Sequence, residues 1–172
     1  MTTTWPTASL DRIARLRVLS AGLPGTAVEE TEFDLPFDEV WSRLTDLERA
    51  VPEFDGDVRR LRVLDRRADP DGETLRIVSY QSGRVLWLRT VLDVELAPGW
   101  CWMVSRPQAY VVGMAAEPVG PDRTRLAILE GVAFDLPRPL HPLLRPIYAV
   151  SRWRHRRHIP HDTAGMHTYL SH

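Results

Sequence analysis

The chain has 172 residues, of which 44% are hydrophobic and 26% charged, and its formal net charge is −1. This composition is typical of one globular domain, and the near-zero net charge gives no general attraction to nucleic acid or anionic membranes. All 22 basic residues are arginine, which excludes chemistry that needs a lysine, such as a Schiff base.

Cysteine content and apolar runs narrow the class of protein further. The single cysteine, Cys101, excludes an intramolecular disulfide and a multi-cysteine metal site. No apolar run reaches the roughly 18–20 residues that span a bilayer, and the first residues lack the pattern of a secretory signal. We therefore expect a cytoplasmic protein without stable membrane insertion, and no nucleic-acid partner.

The first predicted element is an amphipathic helix at residues 9–20, with Ser9 as its N-cap and Gly22 beyond its end. Its apolar stripe is Leu10, Ile13, Leu16 and Leu19. We expect residues 1–25 to form a helical extension that packs on the main domain. Binding to a partner or to a membrane surface are the alternatives.

A strand and two short helices are predicted next. Residues 27–35 alternate as a half-buried strand does, and Pro36 then stands at the start of a helical pattern. The apolar face of that helix is Phe37, Val40, Trp41 and Leu44. Asp46 can cap a second short helix, which Pro52 should limit.

The pattern then changes to period two, which predicts six strands joined by short turns rich in Gly, Pro and Asp. The predicted strands are residues 58–64, 74–81, 85–96, 100–106, 110–116 and 125–136. Short connections of this kind favour an antiparallel meander. Helical spacing returns near the end of the chain, with a helix start at or near Pro146. A curved sheet wrapped around one long helix should leave a cavity where the two diverge.

The segment from Phe33 to Pro52 carries a family resemblance. It leads from a strand through a proline into a Val-Trp helix, then through Asp-Leu-Glu to a second proline. Further similar segments are Gly83-Arg84-Val85, Thr124-Arg125-Leu126 and Phe134-Asp135-Leu136. Over residues 27–158 the chain resembles the SRPBCC superfamily, which includes START lipid carriers, aromatic polyketide cyclases and birch-pollen-allergen-like proteins.

The resemblance implies an α+β helix-grip fold for residues 26–172, with a curved antiparallel sheet around a long C-terminal helix. It also implies a pocket for a small lipophilic ligand and no cofactor. The implied activity is that of a cyclase or dehydratase (a lyase or isomerase of secondary metabolism) acting on a polyketide-like intermediate. A noncatalytic carrier or sensor is the alternative, and a homodimer is left open.

Strand alternation and helix position predict which side chains line the pocket. The expected ligand-binding residues are Leu75, Ile77, Ser79, Gln81, Leu86, Leu88, Leu92, Ile128, Ile147, Ser151 and Arg154. This lining is mostly apolar, as a lipophilic ligand requires.

Glu130 is the main catalytic candidate, because choosing the bulkier face of the last strand as the inner one places its carboxyl group in the cavity. Burial would raise its pKa and suit it to proton transfer near neutral pH. Its carboxyl group could instead face solvent or pair with Arg60 or Arg62. The other candidates for acid–base work are Thr90, Tyr148 and His158.

The resemblance stops short of a mechanism. The usual cyclase arginine falls at Leu92 by ungapped comparison, and a tyrosine of those cyclases falls at Val58. The cyclase mechanism therefore cannot be carried over to this chain.

We expect no metal site. His155, His158 and His161 have helical spacing, but Pro160 should break the helix among them, and neighbouring arginines should repel a cation. The acidic residues at 53–57 are expected to form a turn. Nucleotide-binding and nucleophile-elbow motifs are absent from the sequence.

Overall fold

The computed structural model describes residues 10–82, 87–107 and 109–172. Its helices are α1 (Arg12–Gly22), α2 (Phe37–Leu44), α3 (Leu47–Phe54) and α4 (Arg145–Leu170), the last preceded by a 3₁₀ helix at Arg138–Leu144. Its strands are β1 (Gly25–Phe33), β2 (Val58–Asp69), β3 (Gly72–Ser82), β4 (Trp87–Ala97), β5 (Trp100–Ser105), β6 (Tyr110–Gly120) and β7 (Arg123–Val132).

The seven strands form one antiparallel sheet in the order β1-β7-β6-β5-β4-β3-β2. Strands β2 to β7 make the predicted meander, and β1 pairs with β7, so that Gly25 lies opposite Val132 and Phe33 opposite Thr124. The helix-grip α+β architecture is thereby confirmed. Strand ends differ from prediction by up to five residues: β2 continues to Asp69 instead of residue 64, and β7 ends at Val132 instead of residue 136.

The two helices after β1 cap one end of the sheet. Val40, Trp41 and Leu44 of α2 are buried in the main core, as their spacing predicts. Helix α3 includes Pro52 and ends at Phe54, two residues beyond the predicted limit.

Strand β7 is apolar on both faces because both faces are covered. Leu126 and Ile128 belong to the core between the sheet and α4, whereas Ala127 and Leu129 pack with Leu16 of α1 on the other side. The N-terminal helix thus covers the outer face of the sheet, in agreement with the packing prediction.

Helix α1 begins at Arg12, later than the sequence predicts. Its N-cap is Asp11, whose carboxylate accepts a hydrogen bond from the Ala14 amide at 2.5 Å. Ser9 lies outside the described residues. Leu10 precedes the helix and is 51% exposed, so it is not part of the buried stripe that Ile13 and Leu16 form.

The predicted break at Pro160 is wrong, because α4 runs without interruption from Arg145 to Leu170. Proline lacks the amide that would donate to the preceding turn. Buried side chains on both sides of it, including Ile159 and Met166, hold the helix against the core. As a result, His158 and Asp162 stand one turn apart on the same face.

Gly165 allows α4 to approach α3 closely. A Cβ atom at this position would lie 2.5 Å from the Phe54 carbonyl oxygen and 3.0 Å from its Cα. This backbone contact brings the end of α3 beside the inward face of α4, where the site described below is formed.

Candidate functional site

A cavity lies between the inner face of the sheet, α3 and α4. Its inner chamber of about 60 Å³ opens into a mouth of about 240 Å³, and Asp55, Gln81, Thr90 and Tyr110 line both parts. Apolar side chains dominate the chamber, among them Val51, Phe54, Val58, Leu61, Met103, Val112, Met114 and Met166. Small-molecule pockets commonly measure about 300–1,000 Å³, so a ligand of ordinary size would fill the chamber and extend into the mouth.

Most of the predicted ligand-binding and catalytic residues lie around this cavity. Those that line the chamber are Ile77, Ser79, Gln81, Thr90, Leu92, Ile128 and Glu130. Those that line the mouth are Leu88, Arg154 and His158. The inner faces predicted for β3 and β4 are thus the ones that face the cavity.

Three predicted ligand-binding residues within the described part of the chain do not line the cavity. Leu75 is buried in the core beside it, and Ile147 is 48% exposed on α4. Ser151 is buried, but its hydroxyl donates to the Gly25 carbonyl oxygen at 2.7 Å and so fastens α4 to β1. Leu86 lies outside the described residues.

Tyr148 is not placed for catalysis, which corrects the prediction. Its ring is buried beside Phe134, with ring centroids 6.0 Å apart, and its hydroxyl lies 3.4 Å from His141 Nδ1. These contacts are at the β1 end of α4 rather than in the cavity, because α4 begins well before the sheet and helix diverge.

Glu130 points into the chamber, as strand alternation predicts. The residue is 6% exposed, and its Oε2 atom has no hydrogen-bond partner among the described residues. Burial raises the pKa of its carboxyl group well above the ordinary value, and Asp162 and Asp55 raise it further by charge repulsion. Arg60 and Arg62, its alternative partners, are exposed. Burial and the neighbouring carboxylates therefore favour the protonated form of Glu130.

Other polar groups share the chamber with Glu130. The hydroxyl of Ser79 is buried without a partner among the described residues, and Thr90 is 3% exposed. Tyr110 also lines the chamber, and burial raises the pKa of its phenol well above the ordinary value. Sequence reasoning missed Tyr110, although its two-residue spacing from Val112 and Met114 places the three side chains on one face of β6.

An acidic cluster with one imidazole stands at the mouth. His158 Nε2 lies 3.3 Å from Asp162 Oδ2 and 4.0 Å from Asp55 Oδ1. The approach to Asp162 is not aligned as a hydrogen bond, so Oδ2 of this 2% exposed residue has no hydrogen-bond partner among the described residues. One ligand atom from each of the three residues lies within 4.8 Å of the other two.

Asp55 and Asp162 at the mouth have raised pKa values because they are buried and close to other carboxylates. Burial raises the pKa of Asp162 to about 8, and repulsion from Asp55 and Asp57 adds to the shift. Burial likewise raises the pKa of Asp55. The backbone amides of Asp57 and Val58 donate hydrogen bonds to its carboxylate and offset part of this increase. The region around residues 53–57 is thus a turn, as expected, but it also contributes to the site.

Arg156 and Arg157 of α4 point away from this cluster. Arg157 stacks on the ring of Trp153 at 4.3 Å, and Arg156 lies with Tyr148 in a separate surface depression. Arg154 does line the mouth, and its Nη2 atom is 4.0 Å from Asp57 Oδ2. The expected repulsion of a cation by Arg156 and Arg157 therefore does not operate at this cluster.

This fold and cavity define the class of protein: the chain has the START-like helix-grip fold. It matches a START superfamily protein from Mycobacterium smegmatis at a TM-score of 0.60 and 16% identity, over 85% of this chain and 97% of that one. It matches the ZhuI aromatase/cyclase from Streptomyces sp. R1128 at a TM-score of 0.55 and 12% identity, over 84% and 90%.

A two-domain aromatase/cyclase, BexL, matches at a TM-score of 0.56 and 19% identity, over 85% of this chain and 46% of that one. At these identities the likeness establishes the fold alone. No protein-family model matches the sequence, and no curated protein does. Among the described residues, no helix is both long and apolar enough to cross a membrane.

Proposed function

We propose that this protein binds a small lipophilic molecule in the cavity and catalyses proton transfer on it, as a cofactor-independent cyclase or dehydratase of a polyketide-like intermediate would. The observation that carries the proposal is the buried carboxyl group of Glu130 in an apolar chamber, whose Oε2 atom has no hydrogen-bond partner in the described part of the chain.

The ligand class follows from the lining. An apolar chamber favours hydrocarbon or aromatic surface, while the hydroxyls of Ser79 and Thr90 and the carboxyl group of Glu130 suit one or two oxygen atoms of the ligand. A flat, partly reduced aromatic ketone has both features. It could place its carbonyl group near Glu130 and extend its rings toward the mouth.

The proposed chemistry is a keto–enol exchange. Neutral Glu130 donates its proton to the carbonyl oxygen of the ligand, and its carboxylate then accepts a proton from the adjacent carbon. A C–H bond breaks, a C=C bond forms, and the glutamic acid is restored. Ring closure by aldol addition and loss of water both begin with such an enol, so this single step supports either reaction.

A noncatalytic carrier or sensor is the second candidate. It is favoured by the predominance of apolar side chains in the chamber and by the absence of the cyclase arginine, whose place is taken by Leu92. In a carrier, Glu130 would only hydrogen bond to an oxygen atom of the cargo.

Proton exchange on 2-tetralone, a lipophilic bicyclic ketone, distinguishes these candidates. In D₂O at pH 7, we expect the protein to accelerate the loss of the proton signal next to the carbonyl group in NMR spectra. Replacing Glu130 by Gln should remove about 100-fold of the acceleration, the lower end of what general acid–base catalysis contributes.

Glu95→Gln is the matched control, because Glu95 is exposed on the opposite face of β4, and it should exchange as the wild type does. If the wild-type protein binds 2-tetralone without accelerating exchange, or if Glu130→Gln exchanges at the wild-type rate, proton transfer by Glu130 is rejected and the carrier remains.

A further inference from the structure

We propose that Asp55, His158 and Asp162 form a binding site for a divalent transition-metal cation at the mouth of the cavity. This proposal does not depend on the proposed function, and it departs from the sequence-based expectation that no metal is bound.

The geometry of three ligand atoms is the first argument. Separations of 3.3 Å and 4.0 Å from His158 Nε2 to the two carboxylate oxygens are close to those around one shared cation. Metal–ligand bonds of about 2.0–2.2 Å place neighbouring ligand atoms about 3 Å apart, so small side-chain rotations would complete the site. His158 and Asp162 are one helical turn apart on α4, and Asp55 approaches from the end of α3.

Burial without a partner is the second argument. Asp162 is 2% exposed, and its Oδ2 atom, which lies 3.3 Å from His158 Nε2, accepts no hydrogen bond from the residues that the structure describes. A buried carboxylate without a hydrogen-bond donor is costly. A cation bound at this point would supply the missing partner.

Charge at the mouth is the third argument. The carboxylates of Asp55, Asp57 and Asp162 all lie within 4.0 Å of His158 Nε2, and carboxylates crowded around one point repel one another. Arg154 also lines the mouth, but the nearest approach of its Nη2 atom to Asp57 Oδ2 is 4.0 Å, and that pair is largely exposed and screened by solvent. A divalent cation would relieve this repulsion, whereas the arginines of α4 that point away would not oppose it.

The ligand set indicates the kind of cation. Imidazole nitrogen favours Zn²⁺, Fe²⁺ and related ions over Mg²⁺ or Ca²⁺, and two carboxylate oxygens are acceptable to all of them. With three protein ligands, such a cation would keep at least one position for water or for an oxygen atom of a ligand in the mouth. We therefore choose Zn²⁺ as the probe.

The experiment measures Zn²⁺ binding to the full, untagged chain after treatment with EDTA, in competition with a chromophoric chelator. We expect one Zn²⁺ per chain. Asp162→Asn and Asp55→Asn should each weaken binding at least tenfold, whereas His161→Gln should not change it, because His161 is exposed on the same helix outside the cluster.

Histidine NMR signals give a second measurement that needs no variant to fold. On addition of Zn²⁺, the imidazole signals of His158 should shift with the same stoichiometry, while those of His161 stay in place. The proposal is overturned if no one-to-one binding occurs, if folded Asp162→Asn binds Zn²⁺ as the wild type does, or if Zn²⁺ shifts His161 and not His158.

Discussion

At the scale of single residues, Glu130 is a carboxyl group whose protonated form the fold favours. It faces Asp162 on α4, Asp55 and Asp57 after α3, and Tyr110 on β6, and none of these side chains offers it a positive charge. Its raised pKa follows from burial first and from the neighbouring carboxylates second. In these surroundings, ionisation of Glu130 lowers the free energy of unfolding.

The stability of the protein should therefore fall as pH rises through the folded-state pKa of Glu130. Because that pKa is raised above the unfolded value, the folded state binds the extra proton, and its stabilising effect is complete only below the unfolded pKa. Between pH 5 and pH 8, the free energy of unfolding should fall less steeply for Glu130→Gln than for the wild type. The two slopes should differ by up to about 1.4 kcal/mol per pH unit.

Urea unfolding at several pH values, with EDTA present, measures this difference. Asp55 and Asp162 also have raised pKa values, so the variant should retain part of the slope. Glu95→Gln should follow the wild type. Parallel curves for the wild type and Glu130→Gln would show that the carboxyl group is not kept neutral by the fold.

How well single residues could be predicted depended on how far apart their partners are in sequence. The direction of Glu130 followed from the two-residue period of a strand only after the bulkier face of β7 was taken as the inner one. Asp55 could not be assigned to the site, because its proximity to His158 and Asp162 arises from the packing of α3 against α4. Tyr148 was misplaced because helical spacing alone does not say where along the sheet the helix begins to line the cavity.

At the scale of elements, α4 depends on close packing at Gly165. Alanine normally stabilises a helix relative to glycine by up to about 1 kcal/mol. Here the added Cβ would lie 2.5 Å from the Phe54 carbonyl oxygen, and a clash with backbone cannot be relieved by rotating a side chain. We expect Gly165→Ala to destabilise the protein by about 1–3 kcal/mol, despite its higher helix propensity.

Thermal or urea unfolding checks this sign. Gly22→Ala is a suitable comparison, since a Cβ at that helical position meets no atom within 4 Å. A stabilised Gly165→Ala variant would mean that α4 and α3 are farther apart than this close contact requires. The distances between Asp55 and the α4 residues of the mouth cluster would then be longer as well.

Helix α1 should contribute to stability through its packing on the outer face of the sheet. Leu16 is fully buried there, whereas Val18 on the same helix is 58% exposed. We expect Leu16→Ala to lower the free energy of unfolding by about 2–5 kcal/mol and Val18→Ala to change it by less than about 0.5 kcal/mol. Equal effects in urea unfolding would contradict this packing.

Element types were predictable because their periods differ, but two features of the elements were not. The passage of α4 through Pro160 depends on tertiary packing around Ile159 and Met166, which overrides the local preference of proline. The two apolar faces of β7 were ambiguous in sequence, since each is covered by a different helix.

At the scale of the whole molecule, the sheet has helices on both faces, α4 on one side and α1 on the other, and the cavity is what remains between β-sheet, α3 and α4. Three of the four methionines, Met103, Met114 and Met166, line its inner chamber. Their flexible side chains can adjust to the shape of a ligand, and their methyl groups report directly on occupancy.

The central claim is that this chamber binds a small lipophilic molecule, and methyl NMR of protein labelled with [methyl-¹³C]methionine tests it most directly. Titration with 2-tetralone should shift the signals of Met103, Met114 and Met166 saturably, and Ser79→Leu, which fills the chamber, should abolish the shifts. Signals that stay in place up to millimolar 2-tetralone, or that shift equally in Ser79→Leu, would contradict it.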